Sequence, residues 1–145
     1  MKTILICGAT GFIGRNLLDY YHNKPEYKIR AVHFKRPALT EYEGVEWVRC
    51  DLRDPVEIRK VLTGVDIIMQ FAATTTGAKD IVSKPYIHVT DNVIMNSYML
   101  REAFEQGIEH FVFPSCTIMY QRSESALKES DFNPSDDILP FYFGA

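Results

Sequence analysis

The chain has 145 residues, 46% of them hydrophobic and 24% charged, a balance that fits one soluble globular domain and excludes a disordered chain or a fibre. Sixteen Lys and Arg stand against nineteen Asp and Glu, so the net charge of −3 offers no overall cationic field to nucleic acid or anionic lipid, and any anion site must be local. No run reaches the ~20 apolar residues that span a bilayer, so no membrane partner is expected.

In chain order, Thr3 to Cys7 is a predicted strand, Gly8 to Gly14 a glycine-rich turn, and Phe12 to His22 an amphipathic helix. Strands follow at Lys28 to His33 and Val45 to Cys50, rich in β-branched and aromatic residues. Asp54-Pro55 opens the next helix, Asp as N-cap and Pro at the first helical position, and Gly64 closes it. The fourth strand is expected at Val65 to Phe71, then a long helix from about Pro85 to Gln106 with Gly107 as its left-handed cap, then a fifth strand at His110 to Ser115. The polar stretch from Gln121 to Pro140, punctuated by Asn133-Pro134, reads as a loop with a short helix. Such alternation of strands and helices predicts an α/β fold, a doubly wound parallel sheet with helices on both faces. Cys7, Cys50 and Cys116 are odd in number and widely spaced in apolar runs, without the close pairing of a zinc site or redox motif, which argues for a reducing, cytoplasmic setting.

Chemistry concentrates first at Gly8-Ala9-Thr10-Gly11-Phe12-Ile13-Gly14, a G-x-x-G-x-x-G run between strand and helix. Glycines allow a tight turn and let backbone N–H groups approach a pyrophosphate, while the helix N-terminus adds unpaired donors and a favourable dipole. The bland alternative is a turn that serves close packing alone. No Gly-Lys-Ser/Thr follows, so this is not a P-loop. At the end of the second strand, where an acid would accept bonds from a ribose 2′-OH, stand His33, Lys35 and Arg36. A positive cluster there suits a 2′-phosphate and favours NADP over NAD, unless it is only a solvated basic loop.

The glycine turn and the segments after it resemble the extended short-chain dehydrogenase/reductase family, NAD(P)-dependent epimerases, dehydratases and reductases of nucleotide-sugars. Cys50-Asp51-Leu52-Arg53-Asp54 is similar to that family's acidic pair, which implies that Asp51 contacts the adenine amino group and Leu52 the ring. Val65 to Ala73 is similar to its fourth strand, with Ala72 and Ala73 leaving room for the cofactor and Gln70 in place of the usual histidine. Thr74 and Asn92 complete the implied cofactor site with Gly8, Thr10, Gly11, Phe12, Ile13 and Gly14. Within the family, Thr74 to Gly77 and the spacing to Lys84-Pro85 loosely resemble GDP-fucose synthases.

Phe111 to Tyr120 resembles the fifth strand and the Ser/Thr-bearing turn of the family, with Cys116 where the catalytic hydroxyl stands. A thiol is the poorer donor, so Thr117 or Ser115 is the alternative source of that bond. Tyr142-Phe143-Gly144-Ala145 begins the family's Tyr-x-x-x-Lys pattern, which makes Tyr142 the implied acid/base. The resemblance thus reads residues 1–145 as one NAD(P)-binding Rossmann-type domain that ends before the last strands and the C-terminal substrate domain of a longer enzyme, and as inactive alone. The rival reading is a catalytically inactive dinucleotide-binding module, a sensor or scaffold. An uncovered fifth-strand edge would invite homo-oligomerisation.

Overall fold

The computed structural model describes residues 1–39, 41–75, 83–84, 86–115, 120 and 123–135. The chain divides into two compact units, Met1–Ala73 with Val93–Pro114, and Thr74–Asn92 with Ser115–Ala145.

Within the first unit the described strands are β1 (Lys2–Cys7), β2 (Tyr27–His33), β3 (Glu46–Arg49), β4 (Ile67–Gln70) and β5 (His110–Val112), all parallel, in the order β3-β2-β1-β4-β5. The helices are α1 (Phe12–Tyr21), α2 (Pro55–Leu62) and α3 (Tyr86–Glu105). The chain winds outward from β1 to β3, returns to β4 on the other side of β1, and so creates a switch point between β1 and β4. This is the expected Rossmann-type doubly wound sheet.

The period-two alternation of the strands sorts the core into two layers. Ile4 and Ile6 of β1 point with Ile29, Ala31 and Met69 toward Leu18 of α1. Leu5 and Cys7 point the other way, with Val32 and Ile68, against Ile58, Val61 and Leu62 of α2 and Met95, Met99 and Ala103 of α3. No helix joins β2 to β3 among the described residues; the connecting loop supplies Leu39, Tyr42 and Val45 to the α1 layer instead.

Local signals act where they were read. Asp54 caps α2, its carboxylate accepting from the Val56 and Glu57 amides at 2.7 and 3.3 Å, and Gly107 takes φ +68° after α3. Three strands are shorter than the sequence suggests, β3 by one residue at each end. Val65 and Asp66 are drawn into the junction before β4, where the Val65 amide bonds the Leu62 carbonyl and the Asp66 carboxylate accepts the Thr3 amide at 2.6 Å. β5 ends at Val112, not at Ser115, its three residues pairing with Ile67, Ile68 and Met69 of β4. Among the described residues β5 has a strand on one side only.

In the second unit, Glu129–Asp131 form a short 3-10 helix, and the Tyr120 and Phe132 rings meet edge-on at 6.0 Å. The expected short helix of the tail is this one turn.

Candidate functional site

The carboxyl ends of β1, β2, β3 and β4 carry the candidate residues of the first unit, so the site begins with the turn after β1. Gly8 has φ +74°, and a Cβ there would lie 2.7 Å from the Phe71 carbonyl oxygen and 2.8 Å from the Ala72 nitrogen. The end of β1 is therefore packed directly on the backbone leaving β4. A Cβ on Gly14 would fall 2.2 Å from the Gly8 oxygen, so the first turn of α1 lies against the turn that starts it. Gly11 is different. It has φ −86° and a Cβ there would meet the Gly8 oxygen alone, at 3.2 Å, so the fold itself makes only a mild demand for glycine. Gly11 is also the N-cap of α1, with no side-chain cap and no acid in the first turn. The positive end of the helix is left to whatever anion approaches it. Phe12, 86% exposed, and Ile13 flank it, and Ala9 is buried beneath.

Beyond β2 the basic cluster is ordered by backbone contacts. The Arg36 guanidinium donates to the Thr10 carbonyl at 3.2 Å, which brings it over the glycine turn. His33 Nδ1 lies 3.0 Å from the Arg36 carbonyl; a carbonyl only accepts, so Nδ1 carries the proton and His33 holds the bend. Lys35 and Arg36 are exposed. Arg49 and Arg53, which the sequence reading did not single out, stand over the Phe34 ring at 5.4 and 5.8 Å. The signal was available in their spacing around Asp51.

Asp51 is engaged by Arg53, whose Nε and Nη2 reach its two carboxylate oxygens at 2.9 and 2.8 Å. These bonds, foremost, hold the Asp51 carboxyl below the usual range, aided by the Lys35 charge. Its backbone amide donates to Glu57 at 2.6 Å. Leu52, expected beside the adenine ring, is 6% exposed and packs in the layer with α2 and α3. At the end of β4, the Phe71 and Ala72 backbone lies beside Gly8, Ala72 is half-buried, Ala73 is exposed, and Gln70 is wholly buried.

Thr74 and Asn92 belong to the second unit. The Asn92 amide clasps the Thr74 backbone, accepting its N–H at 2.8 Å and donating to its carbonyl at 3.1 Å, while the Thr74 hydroxyl reaches Asp91 at 3.3 Å. Asn92 thus acts on the loop after β4 as a strand partner would. Cys116, Thr117 and Tyr142 lie outside the described residues, as do Thr76, Gly77 and Pro85. Among the described residues no three His, Cys, Asp or Glu side chains gather as a metal site would need, and no helix is long and apolar enough to cross a membrane.

The family model of the NAD dependent epimerase/dehydratase family matches residues 4–138. GDP-mannose 3,5-epimerase 1 of Oryza sativa subsp. japonica is 30% identical over 139 residues, which cover 92% of this chain and 37% of that protein. Among solved structures, a UDP-glucose 4-epimerase superposes with a TM-score of 0.73 at 26% identity, over 92% of this chain and 42% of that one. The UDP-glucose 4-epimerase of Bifidobacterium longum, solved with NAD+ and UDP, superposes at 0.75 with 18% identity, over 88% of this chain and 42% of that one. The chain spans about two fifths of the length of these relatives. With the parallel order of its five strands, its glycine turn at the switch point and a match that runs nearly end to end, the chain belongs to the NAD dependent epimerase/dehydratase family.

Proposed function

We propose that residues 1–145 are the dinucleotide-binding domain of an enzyme that epimerises or dehydrates a nucleotide-sugar. The observation that carries the reading is the contrast among the glycines: Gly8 and Gly14 are required by backbone packing, whereas a Cβ on Gly11 would meet only the Gly8 oxygen, at 3.2 Å, at a helix N-terminus with no side-chain cap. A glycine that packing requires only weakly is where a pyrophosphate would come closest to the chain, with the amides of Gly11 to Ile13 around it.

In this reading Gly8, Thr10, Gly11, Phe12, Ile13 and Gly14 form the pyrophosphate turn, and Ala72 and Ala73 the floor on which the nicotinamide half rests. Asn92 keeps Thr74 in place through the backbone clasp. Asp51 meets the adenine as an acceptor shared with Arg53, and Leu52, its side chain packed in the core, fixes the backbone beneath it. His33, Lys35 and Arg36 select NADP over NAD, with Arg36 placed over the turn and no acid at the end of β2 to bind a free 2′-hydroxyl. When bound, the nicotinamide supplies hydride exchange with a sugar carbon. Tyr142 is the proposed group that moves the accompanying proton, and Cys116 or Thr117 the proposed donor to the sugar oxygen. Relatives that act on UDP-glucose or GDP-mannose, as their names say, support a nucleotide-sugar as the substrate class.

Calorimetric titration of the chain with NADP and with NAD tests the reading. Binding of either dinucleotide, NADP the tighter, is expected; failure of both to bind under conditions where the chain is folded by circular dichroism would overturn it.

A further inference from the structure

Gln70, the last residue of β4, is 0% exposed, an unusual place for an amide. Its Nε2 lies 3.3 Å from the Ala72 carbonyl and 2.9 Å from Asn96 Oδ1 on α3. The Ala72 carbonyl can only accept, so the nitrogen must face it, and Asn96 must then present its oxygen. That orientation leaves Gln70 Oε1 buried with no hydrogen-bond partner among the described residues. An orphaned buried acceptor lowers stability, and an apolar side chain of the same length would not incur that loss. Folding alone is therefore a poor reason for the amide.

What the amide holds is the backbone immediately beyond it. Phe71 and Ala72 are the atoms on which Gly8 rests, at the separations that forbid a Cβ there, and the Phe71 amide bonds the Cys7 carbonyl at 3.2 Å. The Gln70 side chain bridges from α3 to the Ala72 carbonyl and so sets how this segment meets the glycine turn. We propose that Gln70 is a positioning residue for the dinucleotide site, acting through Ala72 and steered by Asn96, and kept at some expense of stability. This rests on the reading of the glycine turn as a dinucleotide site.

The experiment compares the parent chain with Gln70→Met and Gln70→His, measuring thermal unfolding and NADP and NAD affinity by calorimetry. Gln70→Met keeps length and removes the donor together with the orphaned acceptor. Its melting temperature should stay within about 3 °C of the parent or rise, because lost bonds and lost penalty offset. Its dinucleotide affinity should fall about two- to tenfold, the worth of one ordinary hydrogen bond. Gln70→His, which retains an N–H donor, should recover most of that loss. A purely structural role predicts that affinity follows stability, so a Met variant that binds as the parent does, or that loses affinity only in step with its melting temperature, overturns the proposal. A His variant that binds no better than Met does so as well. If the parent itself binds neither dinucleotide, it is the site reading that fails.

Discussion

Replacing the three glycines of the turn one at a time separates what the fold needs from what a ligand needs. Gly8→Ala forces a side chain into the left-handed region, costing about 1–2 kcal/mol. It also places a Cβ 2.7 Å from a backbone oxygen that cannot step aside, an overpacking worth about 1–3 kcal/mol. Together these amount to about 2–5 kcal/mol, and at about 2–4 °C per kcal/mol for a chain of this size the melting temperature should fall by roughly 4–20 °C. Gly14→Ala, with its Cβ 2.2 Å from the Gly8 oxygen, should be at least as damaging. Gly11→Ala works against a 3.2 Å contact only. Alanine is the poorer N-cap by about 1 kcal/mol, but it also removes about 0.4–1 kcal/mol of freedom from the unfolded chain, so the melting temperature should shift by no more than about 3 °C. Its Cβ nonetheless occupies the space of the proposed pyrophosphate. Loss of one charge-assisted bond, about 1.5–3 kcal/mol, weakens NADP binding by at least about tenfold, and Gly11→Val should abolish it. Differential scanning calorimetry and isothermal titration read the two halves. A Gly11→Val chain that melts and binds like the parent would reduce the turn to a packing device, and a Gly8→Ala chain as stable as the parent would refute the close approach of β1 and β4.

Arg36→Ala should weaken NADP binding by about 10- to 100-fold and leave NAD affinity nearly unchanged, since one charge-assisted bond to the 2′-phosphate is worth about 1.5–3 kcal/mol; equal losses for both dinucleotides would refute the assignment. Glu102 on α3 is 1% exposed, and its paired bonds to the Arg59 guanidinium at 3.0 Å, foremost, hold its carboxyl below the ordinary value near 4.5. The stability this pair contributes is complete above that ordinary value and is lost as pH falls through the lower folded one, so the parent should lose melting temperature more steeply than Glu102→Gln below pH ~4.5; coincident slopes would refute it. Burial pushes the Cys50 thiol up to about 12 and the Cys7 thiol higher still, so in a Cys116→Ser chain at pH ~8 neither should react with a disulfide reagent until denaturant is added; prompt reaction of the native chain would contradict their burial.

The strand β1 was legible in its apolar run, and once it is a strand its period of two alone sends Ile4 and Ile6 to one face and Leu5 and Cys7 to the other. Strand ends were less legible, since they are set by what lies across the sheet. Nothing local to Val65-Asp66 says that the Asp66 carboxylate will be claimed by the Thr3 amide, or that β4 will give β5 only three register positions. The candidate site divides the same way. The glycine turn is written in its spacing, and the helix cap at Asp54 in its neighbours. The clasp of Asn92 on Thr74 closes a separation of 18 residues, and the hold of Gln70 on Asn96 one of 26. For Gln70 the sequence did contain a sign, a lone amide in the apolar run Ile67-Ile68-Met69-Gln70-Phe71, but its orientation depends on the Ala72 carbonyl and on α3.

Where β2 passes to β3 with no helix among the described residues, the α1 layer is roofed by a loop fastened at the surface: Arg36 to the Thr10 carbonyl, Arg15 to Glu41 at 3.2 Å and the Tyr42 hydroxyl to Asp19 at 2.7 Å. Such exposed ties are individually weak, and a segment kept by them opens at a lower free energy than the sheet below. Lys35 and Arg36, two of the three residues proposed to tell NADP from NAD, therefore sit on the part of the domain that can be rewritten with least disturbance to its core. Substitutions at positions 34 to 36, beyond the β2 ladder that ends with His33, are expected to shift any dinucleotide preference while β1, β4 and the glycine turn between them keep their packing. In the proposed reading, the sheet and its glycine turn decide whether a dinucleotide fits, and the exposed bend after His33 decides which one.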